Sequence, residues 1–290
     1  MRTTRGVRPL PAFRSRPVHR LLPVVGYYVL LITLAVPFLL PLLWMISTAF
    51  KPPPKVYLSP PQWLPNPVTT QNFATSWRLL DFPRFLRNSL WITGLTVIGT
   101  ILSSSLVGFA FATLPGRGKE LLFNIMLATI MIPATVTLIP LFVLYSRLGW
   151  INTYLPLVVP HFFANAFYVF LFRQFFRSVP EELFESAELD GCNPFMAYCL
   201  IAMPLARPAT AAAAVFAFIG AWNDFLGPLV YLNTNEKFTL SLGLALFQGT
   251  HYTQLHYLMP MSLVTLIPVI LLFLLAQRYL VRGIVTTGFK

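Results

Sequence analysis

The stretch VPEELFESAELDGCNPFMAYCLIAMP, residues 179–204, sets five carboxylates within ten positions: Glu181, Glu182, Glu185, Glu188 and Asp190. Elsewhere the 290-residue chain runs the other way, with 21 Lys and Arg against 9 Asp and Glu overall, 56% hydrophobic and only 10% charged residues. A soluble domain carries about 25% charged residues, so this composition belongs in a bilayer. An acidic knot in a basic, apolar chain needs a reason.

Locally the knot reads as a short helix. Pro180 suits a helix start, and the acids fall in the first turns, where the helix dipole favours negative charge. Glu181 and Glu185 are four apart and Glu185 and Glu188 three apart, so they share a face. Gly191 can end the helix because it takes positive φ without steric cost. A second short helix is expected from about Pro194, running into the apolar run that follows. The loop, 178–198, is an exposed acidic bend hanging off the membrane; a solvated loop and a docking surface for a basic partner both fit it.

Six apolar runs are long enough to span about 30 Å of hydrocarbon, near 22–46, 88–112, 122–145, 153–173, 199–222 and 259–280. Each is interrupted by Pro or Gly, such as Pro37 and Pro41, Pro133 and Pro140, or Pro260 and Pro268. Packed helices tolerate such breaks, so bent spans are expected. Residues 1–21 form a basic tail and 22–290 one six-span domain, with no linker, repeat or second soluble unit. The first run exceeds a secretory core of about 7–15 residues and lacks a small-x-small cleavage site, which predicts an uncleaved span. KPPPKVYLSPPQWLPNP, 51–67, has seven prolines and is expected to be an extended, polyproline-like external loop.

With both termini inside, the cytoplasmic segments hold 13 basic residues: Arg2, Arg5, Arg8, Arg14, Arg16, Arg20, Arg117, Lys119, Arg173, Arg177, Arg278, Arg282 and Lys290. The opposite side holds 7: Lys51, Lys55, Arg78, Arg84, Arg87, Arg147 and Lys237. The positive-inside rule therefore places both termini in the cytoplasm. The +12 balance is a topology signal, and no soluble basic face suggests nucleic acid.

Catalytic and cofactor patterns are thin. Four histidines, at 19, 161, 251 and 256, and two cysteines, Cys192 and Cys199, form no catalytic or metal-ligand spacing. PGRGKE at 115–120 lacks both the earlier glycine and the following Ser/Thr of a phosphate loop, and reads as a basic turn. No cofactor is expected, and any ATP would be bound by another chain. No charged or broken-helix midplane site of the kind carriers use stands out.

The spacing Glu185-Ser186-Ala187, three residues, Gly191, nine residues, Ile201, one residue, Met203-Pro204 resembles the EAA loop of ABC importer permeases, with Ser186 and Met203 replacing alanine and leucine. FLRNSL at 85–90, MIPATVTLIPLFVLYSRLGWINTYLPLVVP at 131–160, FLFRQFFRSVPEEL at 170–183, FIGAWNDFLGPLVYL at 218–232 and AQRYLVRGIVTTGFK at 276–290 are similar to the carbohydrate, maltose-type branch, specifically its shorter six-span partner. The likeness runs from about residue 22 to the end. It implies an all-α integral membrane protein of the type I permease class, in a bacterial or archaeal inner membrane. It also implies partners: a second permease subunit, two ATPase subunits, an external substrate-binding protein, and a sugar as cargo. By resemblance the acidic bend is the ATPase-coupling helix, carried by Glu181, Glu185, Ser186, Ala187, Asp190, Gly191 and Pro204, with Glu185 and Asp190 as polar contacts. Cargo remains open between sugars and another solute such as a polyol, glycerol phosphate or amino acid; a stand-alone secondary carrier is the more distant alternative.

Polar residues within spans are candidates for a translocation path. His161, Asn165, Tyr168 and Phe172 follow i, i+4, i+7, i+11 spacing, which places them along one helical face. They could meet a sugar or pack against the partner permease. Asn223 and Asp224 could cap a helix or gate the path. The segment 233–257 resembles the part of the family that faces the binding protein; a plain surface or re-entrant loop is the alternative.

Overall fold

The computed structural model describes residues 21–248 and 253–287, with side chains between 26 and 277. The arginine-rich head, His19, His251 and Lys290 lie outside the described residues, as do the side chains of Arg278 and Arg282. The helices in chain order are α1 Leu21–Ala49, α2 Pro53–Val56, α3 Gln71–Leu79, α4 Phe82–Thr113, α5 Lys119–Ala128, α6 Ala134–Arg147, α7 Leu155–Val158, α8 Ala166–Phe176, α9 Glu182–Leu189, α10 Pro194–Ala197, α11 Met203–Leu205, α12 Arg207–Trp222, α13 Leu226–Tyr231, α14 Leu240–Ala245 and α15 Leu255–Thr287. The proline-rich loop is less extended than its composition suggests, because α2 forms one turn with proline in its first positions.

Four stretches are long and apolar enough to cross a bilayer: Gly26–Ala49, Phe82–Thr113, Leu155–Phe176 and Leu255–Gln277. Two more are bent pairs, Lys119–Met131 with Ala134–Arg147 at 97° and Pro194–Leu205 with Arg207–Trp222 at 79°. Counting each pair as one span makes six. The first bend falls at Pro133, which offers no N–H and holds Ile132 extended, whereas Pro140 sits inside α6 without ending it. In the second, a π-helical turn at Tyr198–Ala202 precedes Pro204, and the chain turns at Ala206. Bends at Pro133 and next to Pro204 agree with the expectation of spans bent at their proline interruptions.

The long helix α4 is the axis of the bundle and packs against both α8 and α12. Its inward side is polar and small: Ser89, Thr93, Thr96, Thr100, Ser104 and Ser105 are buried. Small residues let helix backbones approach, and hydroxyls can bond across or back to carbonyls. Ser103 Oγ donates to the carbonyls of Gly99 (2.8 Å) and His161 (3.0 Å), and Thr96 Oγ1 to that of Leu157 (3.3 Å). At Gly108 an added Cβ would lie 2.8 Å from Phe172 Cβ and 3.1 Å from both the Arg173 nitrogen and the Val169 oxygen, so only glycine admits α8 this closely. The final helix, α15, closes the bundle against α1, α3 and α12. Helix α1 leaves most of its apolar surface exposed, with Phe38 at 83%, as suits lipid or another membrane chain.

At the end away from the acidic bend, the segment before α14 is held by the chain's own polar groups. Asn88 Nδ2 donates to the carbonyls of Glu236 and Phe238, both at 2.9 Å, and Ser89 Oγ accepts from the Leu240 amide at 2.7 Å. Asn152, at φ +59°, accepts through Oδ1 from the Asn233 amide (3.1 Å) and Thr234 Oγ1 (3.2 Å), while its carbonyl accepts from Lys237 Nζ (2.5 Å).

Candidate coupling site

The acidic bend folds as a short helix, starting two residues later than Pro180 as its first residue would imply. Glu181 is the N-cap, and its carbonyl accepts from the amides of Phe184 (2.9 Å) and Glu185 (3.1 Å). Glu182 and Glu185 occupy the first turn, and Ser186 Oγ bonds back to the Glu182 carbonyl at 2.7 Å. At the other end Gly191 takes φ +85°, its amide donates to Glu188 (3.0 Å) and the Cys192 amide to Ala187 (2.9 Å). That pair of bonds is a Schellman motif, which needs a left-handed residue at this position. Asn193 then caps α10, its Oδ1 accepting from the Met196 amide at 2.9 Å, so the bend is capped on both sides of Gly191. Pro204 sits in α11, immediately after the π-helical turn.

Ala187 is the only buried residue of α9. Beside it Phe184 meets Phe109 of α4 edge-on, with ring centroids 5.7 Å apart. Phe109 also contacts Phe176 at the end of α8 (5.6 Å) and Tyr198 (5.5 Å), whose hydroxyl shares a 2.7 Å hydrogen bond with Ser105. Aromatic contacts of this kind add about 0.5–1.5 kcal/mol each beyond their buried area. Between α9 and the end of α4 lies an open cleft of about 770 Å³ that includes Thr113, Phe184, Glu185 and Glu188 among its walls.

The outward side is acidic and unpaired. Glu181, Glu182, Glu185, Glu188 and Asp190 are all exposed, and none has an ion-pair partner among the described residues, whose pairs are Arg84–Asp81 and Arg173–Glu120. Leu189, beside Asp190, is 90% exposed. Helix α9, closed at its C-terminal end by the Schellman motif, thus presents carboxylates unpaired among the described residues together with exposed Leu183 and Leu189.

Residues 101–285, which include the whole bend, match the family model described as binding-protein-dependent transport system inner membrane component. The chain belongs to that family. It is 33% identical to the arabinooligosaccharides transport system permease protein AraQ of Halalkalibacterium halodurans, over 86% of this chain and 90% of that protein. It is 30% identical to the trehalose/maltose transport system permease protein MalG of Thermococcus litoralis, over 96% and 99% of the two chains. A chain in the crystal structure of a bacterial ABC transporter that imports the acidic polysaccharide alginate superposes with TM-score 0.80 at 23% identity, covering 93% of this chain and all of that one, which shows the shared fold. The protein is therefore a multi-pass permease of the type I fold, a transport component and not an enzyme.

Within this permease, the residues expected to line a path do not share one helical face. His161 lies on a 3-10 turn, Val159–Phe162, Ala164 takes φ +53°, and Asn165 is the N-cap of α8, accepting from the Phe167 amide at 3.0 Å. Tyr168 and Phe172 belong to α8, where Phe172 is buried in the core and Tyr168 packs against it. His161 Nδ1 lies 3.5 Å from Thr100 Oγ1. Asn223 ends α12, its side-chain Nδ2 donating to the Ile219 carbonyl at 2.9 Å. Asp224 Oδ1 accepts from the Gly227 amide (3.1 Å) in the turn into α13, and its carbonyl from Ser241 Oγ (2.5 Å). Helix-end bonding thus occupies Asn165, Asn223 and Asp224 in this conformation.

Arg173 was missed as a functional candidate because it reads in sequence as a loop cation following an apolar run. In the fold it is 4% exposed and engaged on several sides. Lys51 differs likewise from its reading as a loop charge: it is buried, its Nζ lies 3.9 Å from the Trp44 ring centre, and burial pushes its pKa below the usual lysine value. Among the described residues no cluster of three or more His, Cys, Asp or Glu could hold a metal, and Cys192 and Cys199 are free thiols.

Proposed function

We propose that this chain is the shorter permease of a sugar importer, pairing with a second permease to enclose the path, and that the bend 178–198 is where ATPase subunits dock. In this reading residues 1–21 are a cytoplasmic tail and 22–290 the transmembrane domain, both termini face the cytoplasm, and the membrane is a prokaryotic inner membrane. Two ATPase subunits grip the acidic helices of the two permeases, and an external binding protein delivers the sugar to the opposite face. Glu181, Glu185 and Asp190 make the polar contacts; Ser186 and Gly191 hold the helix shape, Ala187 allows the close approach to α4, and Pro204 shapes the link to α12. His161, Asn165, Tyr168, Asn223 and Asp224 are the path-side polar groups.

One observation carries the coupling assignment: five exposed carboxylates without ion-pair partners among the described residues, in a bend fixed by the Schellman motif at Gly191 and by Phe184 against Phe109. A rigid element attached to several spans can pass the movement of a soluble subunit into the membrane. The sugar assignment is supported by the relatives, whose names specify arabinooligosaccharides, trehalose/maltose and lactose.

The test is copurification and uptake. Glu185→Lys combined with Gly191→Val should leave insertion intact, release the ATPase subunits in mild detergent and abolish uptake. Retention of both ATPase subunits and normal uptake would reduce the bend to a solvated loop. Orientation is tested by single cysteines in a background with Cys192 and Cys199 replaced: a probe at Lys55 should react from outside and one at Glu182 should not, and external labelling at 182 would overturn the topology.

A further inference from the structure

Arg173 and Glu120 form the one ion pair among the described residues in which a partner is buried; the guanidinium is 5% exposed and the carboxylate 65%. Three elements meet at this arginine. From α8, its Nε donates to the Phe111 carbonyl near the end of α4 at 3.2 Å, its Nη2 donates to Glu120 Oε1 on α5 at 2.5 Å, and its guanidinium lies 3.9 Å from the ring centre of Phe123, also on α5. Phe123 in turn meets Phe111 edge-on at 5.4 Å and stacks over Phe170 of α8 at 6.5 Å. Lys119 Nζ donates to the Leu114 carbonyl at 2.7 Å, which fixes the turn between α4 and α5. Eleven residues beyond Arg173 comes Phe184, on the acidic helix and against Phe109 of the same α4.

A buried charge is costly to desolvate, and replacing a buried pair by apolar residues of similar size is often neutral or stabilising. Stability alone is therefore a poor reason for an arginine here, where Phe109, Phe123, Phe170, Phe172 and Phe176 already supply apolar contact. What the guanidinium adds is direction. Its planar fork fixes α8 to a backbone carbonyl of one span and to a side chain of another at once, a geometry that neither lysine nor an apolar residue reproduces. The carboxylate half is water-facing, while the arginine is buried against the Phe111 carbonyl and the Phe123 ring.

We propose that Arg173 and Glu120 are a positioning latch that makes the bend-side ends of α4, α5 and α8 one body, so that displacement of the acidic helix reaches α5 as well as the α4 and α8 it already touches or adjoins. This rests on the reading of the bend as the ATPase docking lever. The latch acts through the helices and touches neither sugar nor ATP. Without it, α5, joined to α4 by a short turn, no longer follows α8.

The experiment uses the full transporter in lipid nanodiscs, with Cys192 and Cys199 replaced and spin labels at the exposed positions Leu122 on α5 and Gln174 on α8. With the latch intact, the label-to-label distance should stay the same single narrow distribution in the nucleotide-free complex and after trapping with ATP and vanadate. In Arg173→Met, which keeps apolar bulk, and in Glu120→Gln, which keeps shape without charge, the two states should differ. Stimulation of ATP hydrolysis by the binding protein should then fall by about fivefold or more, the lower range for coupling between distant sites, with both ATPase subunits still bound. A latch variant whose distances and stimulation match the unmodified protein overturns the proposal, as does loss of stimulation only in step with loss of assembled complex. The docking reading fails separately, through normal ATPase association and uptake in the Glu185→Lys, Gly191→Val double variant; a complex that contains no ATPase overturns both.

Discussion

The acidic bend and the segment 233–239 before α14, a ledge held by Asn88 and Asn152, are both short, irregular and rich in polar side chains, yet they use those groups in opposite ways. On the ledge, Asn88, Asn152 and Lys237 donate to or accept from backbone within the same chain. At the bend, backbone bonds at Gly191 and the side chains of Ser186 and Asn193 shape the chain, and the five carboxylates carry no ion-pair partner among the described residues. A loop that satisfies itself is shaped before any partner arrives, so that a docking protein meets a fixed surface. A helix that leaves like charges unpaired tolerates their repulsion in the free chain, and a basic partner can relieve it. The difference separates a segment whose polar groups are spent on its own backbone from one whose carboxylates are left unpaired among the described residues.

The comparison can be broken most severely at the bend. Reversing two charges, Glu181→Lys with Glu188→Lys, sets like charge against a basic partner, which costs several kcal/mol at an interface; uptake should fall by well over tenfold while the permease keeps its abundance and melting temperature. Unchanged uptake would mean that the carboxylates serve solubility alone. Next comes the crossing that supports the bend. Gly108→Leu forces a side chain into the backbone of α8, and overpacking costs about 1–3 kcal/mol or more when the backbone must shift. The measured outcome should be lower abundance and a lower melting temperature in detergent, with loss of uptake in proportion; a stable Gly108→Leu protein would show that α4 and α8 are not held this closely.

At the ledge the effect should be smaller and of another kind. Asn152→Ala removes the side-chain acceptor for Asn233 and Thr234, and each lost bond is worth about 1 kcal/mol. Faster hydrogen exchange of the 233–237 amides is expected, with ATPase association unchanged. Exchange as slow as in the unmodified chain would show that the ledge is held by something other than Asn152. Smallest of all, Glu236→Lys changes an exposed charge whose carbonyl, not its carboxylate, is bonded to Asn88; ATPase copurification should be the same as for the unmodified protein. Loss of the ATPase from this variant would remove the distinction between the two regions.

Much of the bend was legible in advance because helix-end rules are local. Gly191 ends α9 with positive φ, and the acids sit in and just before the first turn, both consequences of short-range backbone geometry. Asn193 was equally local, since Asn before Pro is a cap signal, and was overlooked among the motif positions. The face from His161 to Phe172 failed because spacing arguments assume an unbroken helix, and Ala164 at positive φ interrupts it.

By itself the sequence determined that this is a membrane protein of long apolar helices, that its acid is gathered in one bend, and that the bend is helical with a glycine stop. These follow from composition and from interactions within a few residues. Only the tertiary structure decided that the third apolar run folds back by 97° at Pro133 instead of at Pro140, that Phe184 reaches Phe109, and that Arg173 is buried between α4 and α5. An arginine at the end of an apolar run looks the same on paper whether it faces water or a carbonyl 62 residues away, as Phe111 is from Arg173. Which it meets depends on how closely Gly108 lets two helices approach, and that is a property of packing and not of any local run of residues.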